Sequence, residues 1–278
     1  DIVWAETRIS KQWRLRQFPR HELLGARCLE SNDFEPAWRN ILKGEEVPWI
    51  NHHRMMGLVV FPAVGYVALA SEAIRQITGL TACTLEQVML MEALVRDEND
   101  IEIMTTLRKL TMNATMDSDW YEFTVCSYNG QGWTKHCSGK AMGGTDQPLP
   151  TNTISEPFTR QISSYRWYRR CEKKGLEYGS LFEGLQDITA SPLTNAARGR
   201  VEDDRESHDS YYAIHPTIVD QCLQVMLVAS DKGVSHYPDK AGMPLYIDRV
   251  YLAPGSSSML VEATTTDPAK ESQAETLR

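Results

Sequence analysis

The sequence has no run of 18 or more uninterrupted apolar residues, so nothing in it reads as a membrane-spanning helix. It also lacks a basic excess. Its 37 acidic residues outnumber 29 basic ones, for a formal net charge of -8, and that balance gives no electrostatic footprint for nucleic acid. Cysteine is sparse and scattered. Cys28, Cys83, Cys126, Cys137, Cys171 and Cys222 form no CxxC pair and no tight Cys/His cluster of the zinc type, so they read as reduced thiols and no metal is expected. The first ten residues, DIVWAETRIS, have neither the basic start nor the apolar core of a signal peptide. They read as the middle of a longer protein, and a cytoplasmic location is the expectation.

What the chain does have is one dominant stretch, 49–79, WINHHRMMGLVVFPAVGYVALASEAIRQITG. His53, Gly57 and Pro62 stand there at the spacing H-x3-G-x4-P. Pro62 suits the first helical position and Gly79 the residue just past the end. Between them small residues (Ala63, Gly65, Ala68) alternate with large ones (Val64, Tyr66, Leu69), and no face is polar for two turns. A helix apolar all round is a buried one. A sheet is expected to wrap it, with a histidine just ahead of a helix N-terminus whose free N–H groups can hold an oxyanion.

The 278 residues suffice for two compact units. Residues 80–140 carry period-2 patterns, with hairpin signals at Asp97–Asp100 and Asn129-Gly130. Residues 141–157, rich in Gly, Pro, Ser and Thr, read as a linker. Beyond it the order recurs in outline: a basic helix (162–175), strands after 178, a charged loop (198–210), then a second proline-led apolar helix at 215–230 and strands at 243–254 and 259–266. The expected domains are 1–140, the linker 141–157, and 158–278, each domain an antiparallel sheet around one helix, an internal repeat.

On the second helix Asp220 and Gln224 are four residues apart and share a face with Pro216. Ile218, Val219, Cys222 and Leu223 surround the carboxyl with apolar groups, which raises its pKa and suits a general acid. Gln224 could orient the carboxyl or a substrate hydroxyl. By spacing alone other roles stay open: an early-helix Asp commonly serves the helix dipole, and a His before an apolar helix is commonly packed.

Three motifs settle the choice. His53-x3-Gly57-x4-Pro62, Tyr178-Gly179-x-x-Phe182 and His215-Pro216-x3-Asp220-x3-Gln224 stand in the order and spacing of the dehydratase domains of polyketide synthases. HELLGAR, PAWRNIL with PWINHH, WYEFTVCSY with GWTKHCSGK, and MPLYIDRV resemble the fungal highly reducing type in particular. The resemblance runs from His21 to Thr266. It implies an α+β double hotdog fold and removal of water from a 3-hydroxyacyl thioester, with no cofactor in the domain and the substrate carried on the phosphopantetheine of an acyl carrier protein. Residue by residue, it implies His53 as base, Asp220 as acid and Gln224 as their aid. Gly57, Pro62, Tyr178, Gly179, Phe182, His215 and Pro216 would line the substrate pocket. The partners implied are the carrier protein and neighbouring synthase domains, with a homodimer in the full protein. The basic stretch Arg160, Arg166, Arg169, Arg170, Lys173 and Lys174 is either a carrier-protein patch or a solvated helix face.

The sequence departs from the family pattern in three places. His52 stands where Asp is usual, Pro62-Ala63-Val64-Gly65 replaces Pro-Gly-Ala-Gly, and Ser180 replaces a proline. The last residues, DPAKESQAETLR, are expected to fall short of the family's closing strands. A related isomerase or product-template-like cyclase, and a non-catalytic dimerising scaffold, are the alternative readings.

Overall fold

The computed structural model describes residues 6–96, 100–113, 116–148, 156–203, 210–234 and 244–266. The expected turn at 97–99, residues 149–155 of the linker, 204–209 of the charged loop and the tail 267–278 lie outside the described residues. In chain order the elements are α1 (Arg8–Arg14), β1 (Ala26–Arg27), β2 (Ala37–Leu42), a 3-10 turn (Pro48–His52), β3 (His53–Met55), β4 (Leu58–Val60), α2 (Ala63–Thr78), β5 (Cys83–Leu90) and β6 (Val95–Arg96). The long strands β7 (Ile101–Asn113), β8 (Met116–Tyr128) and β9 (Trp133–Gly143) follow. Then come β10 (Arg160–Ile162), α3 (Ser164–Lys173), β11 (Leu176–Tyr178), β12 (Gln186–Ala190), β13 (Ala196–Glu202), α4 (Pro216–Ser230), β14 (Tyr246–Leu252) and β15 (Ser258–Thr264).

Helix α2 is buried without a break from Val64 to Ile74, as its nearly all-apolar sequence requires, and the one charge in that stretch, Glu72, is paired with Arg75. Its start lies one residue later than expected: Pro62 is the N-cap in extended conformation, and Ala63 is the first helical residue. At the other end Gly79 takes the left-handed conformation (φ 76°) and its N–H returns to Arg75 O, a geometry that costs any residue with a Cβ. Strands β5, β7 and β9 cover the helix. They belong to a seven-stranded antiparallel sheet of order β1-β2-β7-β8-β9-β5-β14. Leu69, Ile74, Leu85, Trp38 and Phe123 fill the space between helix and sheet.

Helix α4 repeats the arrangement. It packs on β13 and β15 of a four-stranded sheet ordered β10-β12-β13-β15, over a core containing Leu185, Ile188, Val201, Val225 and Val228. Here Pro216 does occupy the first helical position. Residues 198–202, expected in the charged loop, are the second half of β13, because Arg198 and Arg200 point polar ends to Glu262 and Asp187 while the alternate residue Val201 is buried. Residues 141–143 likewise finish β9 rather than begin a linker.

The two halves are interleaved. Strand β14, far beyond the linker in sequence, pairs with β5 and closes the first sheet. A third sheet, β11-β3-β4-β6, joins β11 of the second half to β3 of the first, and α2 and α4 contact each other directly. All six cysteines are free thiols.

Candidate active site

His53 opens β3, immediately after the 3-10 turn. The β3–β4 hairpin turns at Met56 and Gly57, both at positive φ (50° and 82°), the two-residue turn whose twist matches the strands. That hairpin brings Val60 O to 2.8 Å from His53 Nδ1. A carbonyl only accepts, so Nδ1 carries the hydrogen and Nε2 keeps the lone pair of a base. Gly57 itself donates its N–H to Glu177 Oε1 at 3.0 Å. The hairpin glycine is thus engaged by a half-buried carboxylate, and the start of α2, where no side chain caps the helix, is the other place with N–H groups to offer.

Antiparallel pairing of β3 and β11 sets Tyr178 opposite His53, with ring centroids 5.9 Å apart. A tight turn follows, Phe182 N–H to Gly179 O, and it carries the fully buried Phe182 ring to 5.4 Å from the imidazole. Gly179 is hemmed in. Its N–H donates to His52 O at 2.7 Å, and a Cβ there would lie 2.5 Å from His52 Nδ1. Burial, reinforced by Asp220, holds the Tyr178 phenol protonated far above its ordinary range.

Asp220 comes from α4. The helix start is fixed by His215, the N-cap, whose side chain accepts from Thr217 N–H. Trp49 and Tyr212 meet the His215 ring edge-on at 5.4 and 4.9 Å. Both are tied to one acceptor: Glu22 Oε1 takes the Tyr212 hydroxyl at 2.7 Å and Trp49 Nε1–H at 3.3 Å. One turn further on, the Asp220 carboxyl is buried, and burial pushes its pKa up against the opposing pull of His53 and of the hydrogen bond from Gln224. Gln224 Nε2 donates to Asp220 Oδ2 and to Phe182 O, each at 3.1 Å.

His53, Tyr178, Gly179, Phe182, Asp220 and Gln224 are therefore assembled by one β pairing and one helix, whereas Gly57 stands in the exposed hairpin turn and His215 with Pro216 supports the helix start. A histidine whose Nδ1–H is spent on Val60 O, and a buried carboxyl whose pKa is raised and which feels that histidine's charge, are groups of the kind that can take a proton from one carbon and protonate a leaving group on the next. A separate cleft of about 650 Å³, lined by α1 residues such as Trp13 together with Phe18, Trp38 and Gln76, includes none of these groups. Among the described residues no set of three or more His, Cys, Asp or Glu side chains is placed to hold a metal ion. No described helix is long and apolar enough to cross a membrane.

Comparison with known proteins identifies the family. A model described as the polyketide synthase dehydratase domain matches residues 21–128, and one described as the polyketide synthase dehydratase N-terminal domain matches residues 146–278. The highly reducing polyketide synthase pspA of Penicillium soppii is 42% identical over 265 residues, 95% of this chain and 10% of that protein. The chain belongs to the polyketide synthase dehydratase family. Its relatives are large multidomain synthases of the fungal highly reducing type, and it spans about a tenth of their length. As a dehydratase domain it is a hydro-lyase.

The fold agrees. The dehydratase domain from the CurF module of curacin polyketide synthase superposes with a TM-score of 0.74 at 20% identity, covering 90% of each chain. Two structures titled as inactive mutants of the CurK dehydratase, one histidine-to-phenylalanine and one aspartate-to-asparagine, superpose at 0.72 and 21% identity over 89% of this chain and 88% of theirs. The dehydratase domain is a double hotdog, each long helix cupped by an antiparallel sheet. Sequence reasoning missed Tyr168, Glu22 and the Val60 carbonyl, which orient the site without belonging to any of its motifs. Only the apolar spacing of Trp167, Tyr168 and Cys171 in α3 signalled that Tyr168 turns inward.

Proposed function

We propose that His53 and Asp220 carry out the dehydration. The substrate is a 3-hydroxyacyl chain held as a thioester on the phosphopantetheine of an acyl carrier protein. His53 Nε2 takes a proton from C2, the C2–H electron pair forms the C2=C3 double bond, and the C3–O bond breaks as Asp220 delivers its proton to the departing hydroxyl. The products are the trans-2-enoyl thioester and water. They leave an imidazolium facing a carboxylate, and passage of one proton from His53 to Asp220 resets the site. Charge on the thioester oxygen would be met by N–H groups at the start of α2, an interaction commonly worth about 3–4 kcal/mol per donor. Tyr178 and Phe182 form the aromatic wall that keeps water from the acid.

The observation that carries this reading is the pairing itself: a histidine whose Nδ1–H is spent on Val60 O, and a buried carboxyl whose raised pKa is drawn down by that same histidine. The CurK dehydratase supports it, since a histidine and an aspartate replacement are each described as leaving that protein inactive. Turnover of a 3-hydroxyacyl thioester should be abolished by His53→Ala and by Asp220→Asn. Mass spectrometry decides the reaction type, because only dehydration loses water, whereas isomerisation keeps the mass. Full turnover by either variant would overturn the assignment.

The carrier protein and neighbouring synthase domains are the proposed partners, in a cytoplasmic homodimer of the full synthase. The α3 stretch is a poor carrier patch. Arg160 and Arg170 bond to the carbonyls of Lys232 and Gly233, Lys174 to Asp231 and Arg169 to Glu172, so four of its six cations are engaged within the chain.

A further inference from the structure

Gln224 is buried, and its amide has three bonds to keep: two through Nε2, to Asp220 Oδ2 and Phe182 O, and one through Oε1, which accepts from the Tyr168 hydroxyl at 3.1 Å. Tyr168 lies on α3, outside every motif, and is itself buried. Its hydroxyl oxygen accepts Leu185 N–H at 2.9 Å. A phenol has one proton. With Leu185 occupying the oxygen from one side, that proton can go only to Gln224 Oε1. The bonds therefore run in one direction, from Leu185 N–H through the Tyr168 hydroxyl and the Gln224 amide to Asp220 Oδ2. A flipped amide would set its carbonyl against two acceptors, Phe182 O and Asp220 Oδ2, which buried polar groups do not tolerate.

We propose that Tyr168 is a positioning residue for the dehydration: by donating to Gln224 Oε1 it fixes the amide so that Nε2–H holds Asp220 Oδ2, leaving the transferable proton on Oδ1, the oxygen turned to substrate. This rests on the assignment of Asp220 as the acid and adds to it which oxygen reacts and what decides that. The groups facing Asp220 are His53 from β3, Tyr178 from β11, Tyr168 from α3 and Cys222 from its own helix. Burial raises both phenols and pushes the Cys222 thiol up to about 11. The alkaline limb of kcat/KM therefore reports loss of the proton from Asp220.

The test uses the 278-residue chain with a 3-hydroxybutyryl thioester of N-acetylcysteamine, comparing Tyr168→Phe, Gln224→Ala, the double variant and Asp220→Asn. Val201→Ala, in the same core, controls for lost stability. Tyr168→Phe keeps the ring and releases the amide. It should lower kcat roughly ten- to a hundred-fold through misplacement of the proton, and move the alkaline limb to higher pH, because the bond that favours the carboxylate is weakened. In the Gln224→Ala background the same substitution should do neither. Val201→Ala should leave the limb in place. If Tyr168→Phe lowers the melting temperature but leaves the limb unmoved, or if its effect adds fully to that of Gln224→Ala, the positioning role is wrong. Full activity of Asp220→Asn would instead remove the acid assignment beneath it.

Discussion

Replacing Asp220 with Asn should abolish turnover and at the same time make the folded domain more stable at neutral and alkaline pH. The carboxyl is buried and its folded pKa is raised, chiefly by loss of solvent. In the unfolded chain the same group has an ordinary carboxylate pKa. Below that ordinary value both states hold the proton, and the fold has its full advantage. Between that value and the raised folded one the unfolded chain ionises while the native carboxyl keeps its proton, so stability falls as pH rises and levels off once both states are ionised. Asn cannot ionise, so the loss is absent in the variant. Gln224 Nε2 still has an oxygen to bond, and the side chains are isosteric. A buried polar group left imperfectly satisfied costs about 1–3 kcal/mol, and a charged one more. Unfolding entropy near 2.1 cal/mol/K per residue makes each kcal/mol worth roughly 2 °C in a chain of this length. The variant should therefore melt about 2–5 °C above the wild type at pH 8 and close to it at pH 4. Scanning calorimetry of both proteins across that range reads the difference directly, with other acid-labile groups cancelling between them. A difference independent of pH, or a wild type more stable at pH 8, would refute the view of Asp220 as an acid held neutral by burial.

Two further substitutions probe what holds the pair in place. Gly179→Ala puts a methyl group 2.5 Å from His52 Nδ1 where the backbone is already fixed by Gly179 N–H to His52 O. It should cost about 1–3 kcal/mol by overpacking and lower kcat/KM at least tenfold by displacing the adjacent His53; wild-type kinetics would show that His52 yields without disturbing its neighbour. Glu22→Leu leaves the Trp49 indole and the Tyr212 hydroxyl without their shared acceptor. A melting temperature lower by about 2–5 °C is expected, and an unchanged one would mean the clamp on His215 contributes nothing.

The site was legible in sequence wherever a residue acts through its own position on an element. His53 ahead of an apolar helix, and Asp220 and Gln224 one turn apart on another, follow from periodicities the backbone imposes on any chain. The buried α2 and the paired-helix plan were legible for the same reason, since an all-apolar helix has nowhere to go but inside a sheet. The bounds of β13 were not. Arg198 and Arg200 look like loop charges until Glu262 and Asp187 stand opposite them, and strand register is decided by partners distant in sequence.

By itself, then, the sequence determined which residues could do acid and base chemistry and on which elements they stand, because helix and strand geometry is local. Only the tertiary structure decided that β11 pairs with β3 and so sets Tyr178 beside His53, that Val60 O selects the imidazole tautomer, and that Tyr168 reaches Gln224 from α3. Those contacts join residues from 7 to 125 positions apart. No local pattern encodes them: each is a hydrogen bond or a register match that exists only once separate elements have packed, and burial then raises the pKa of Asp220.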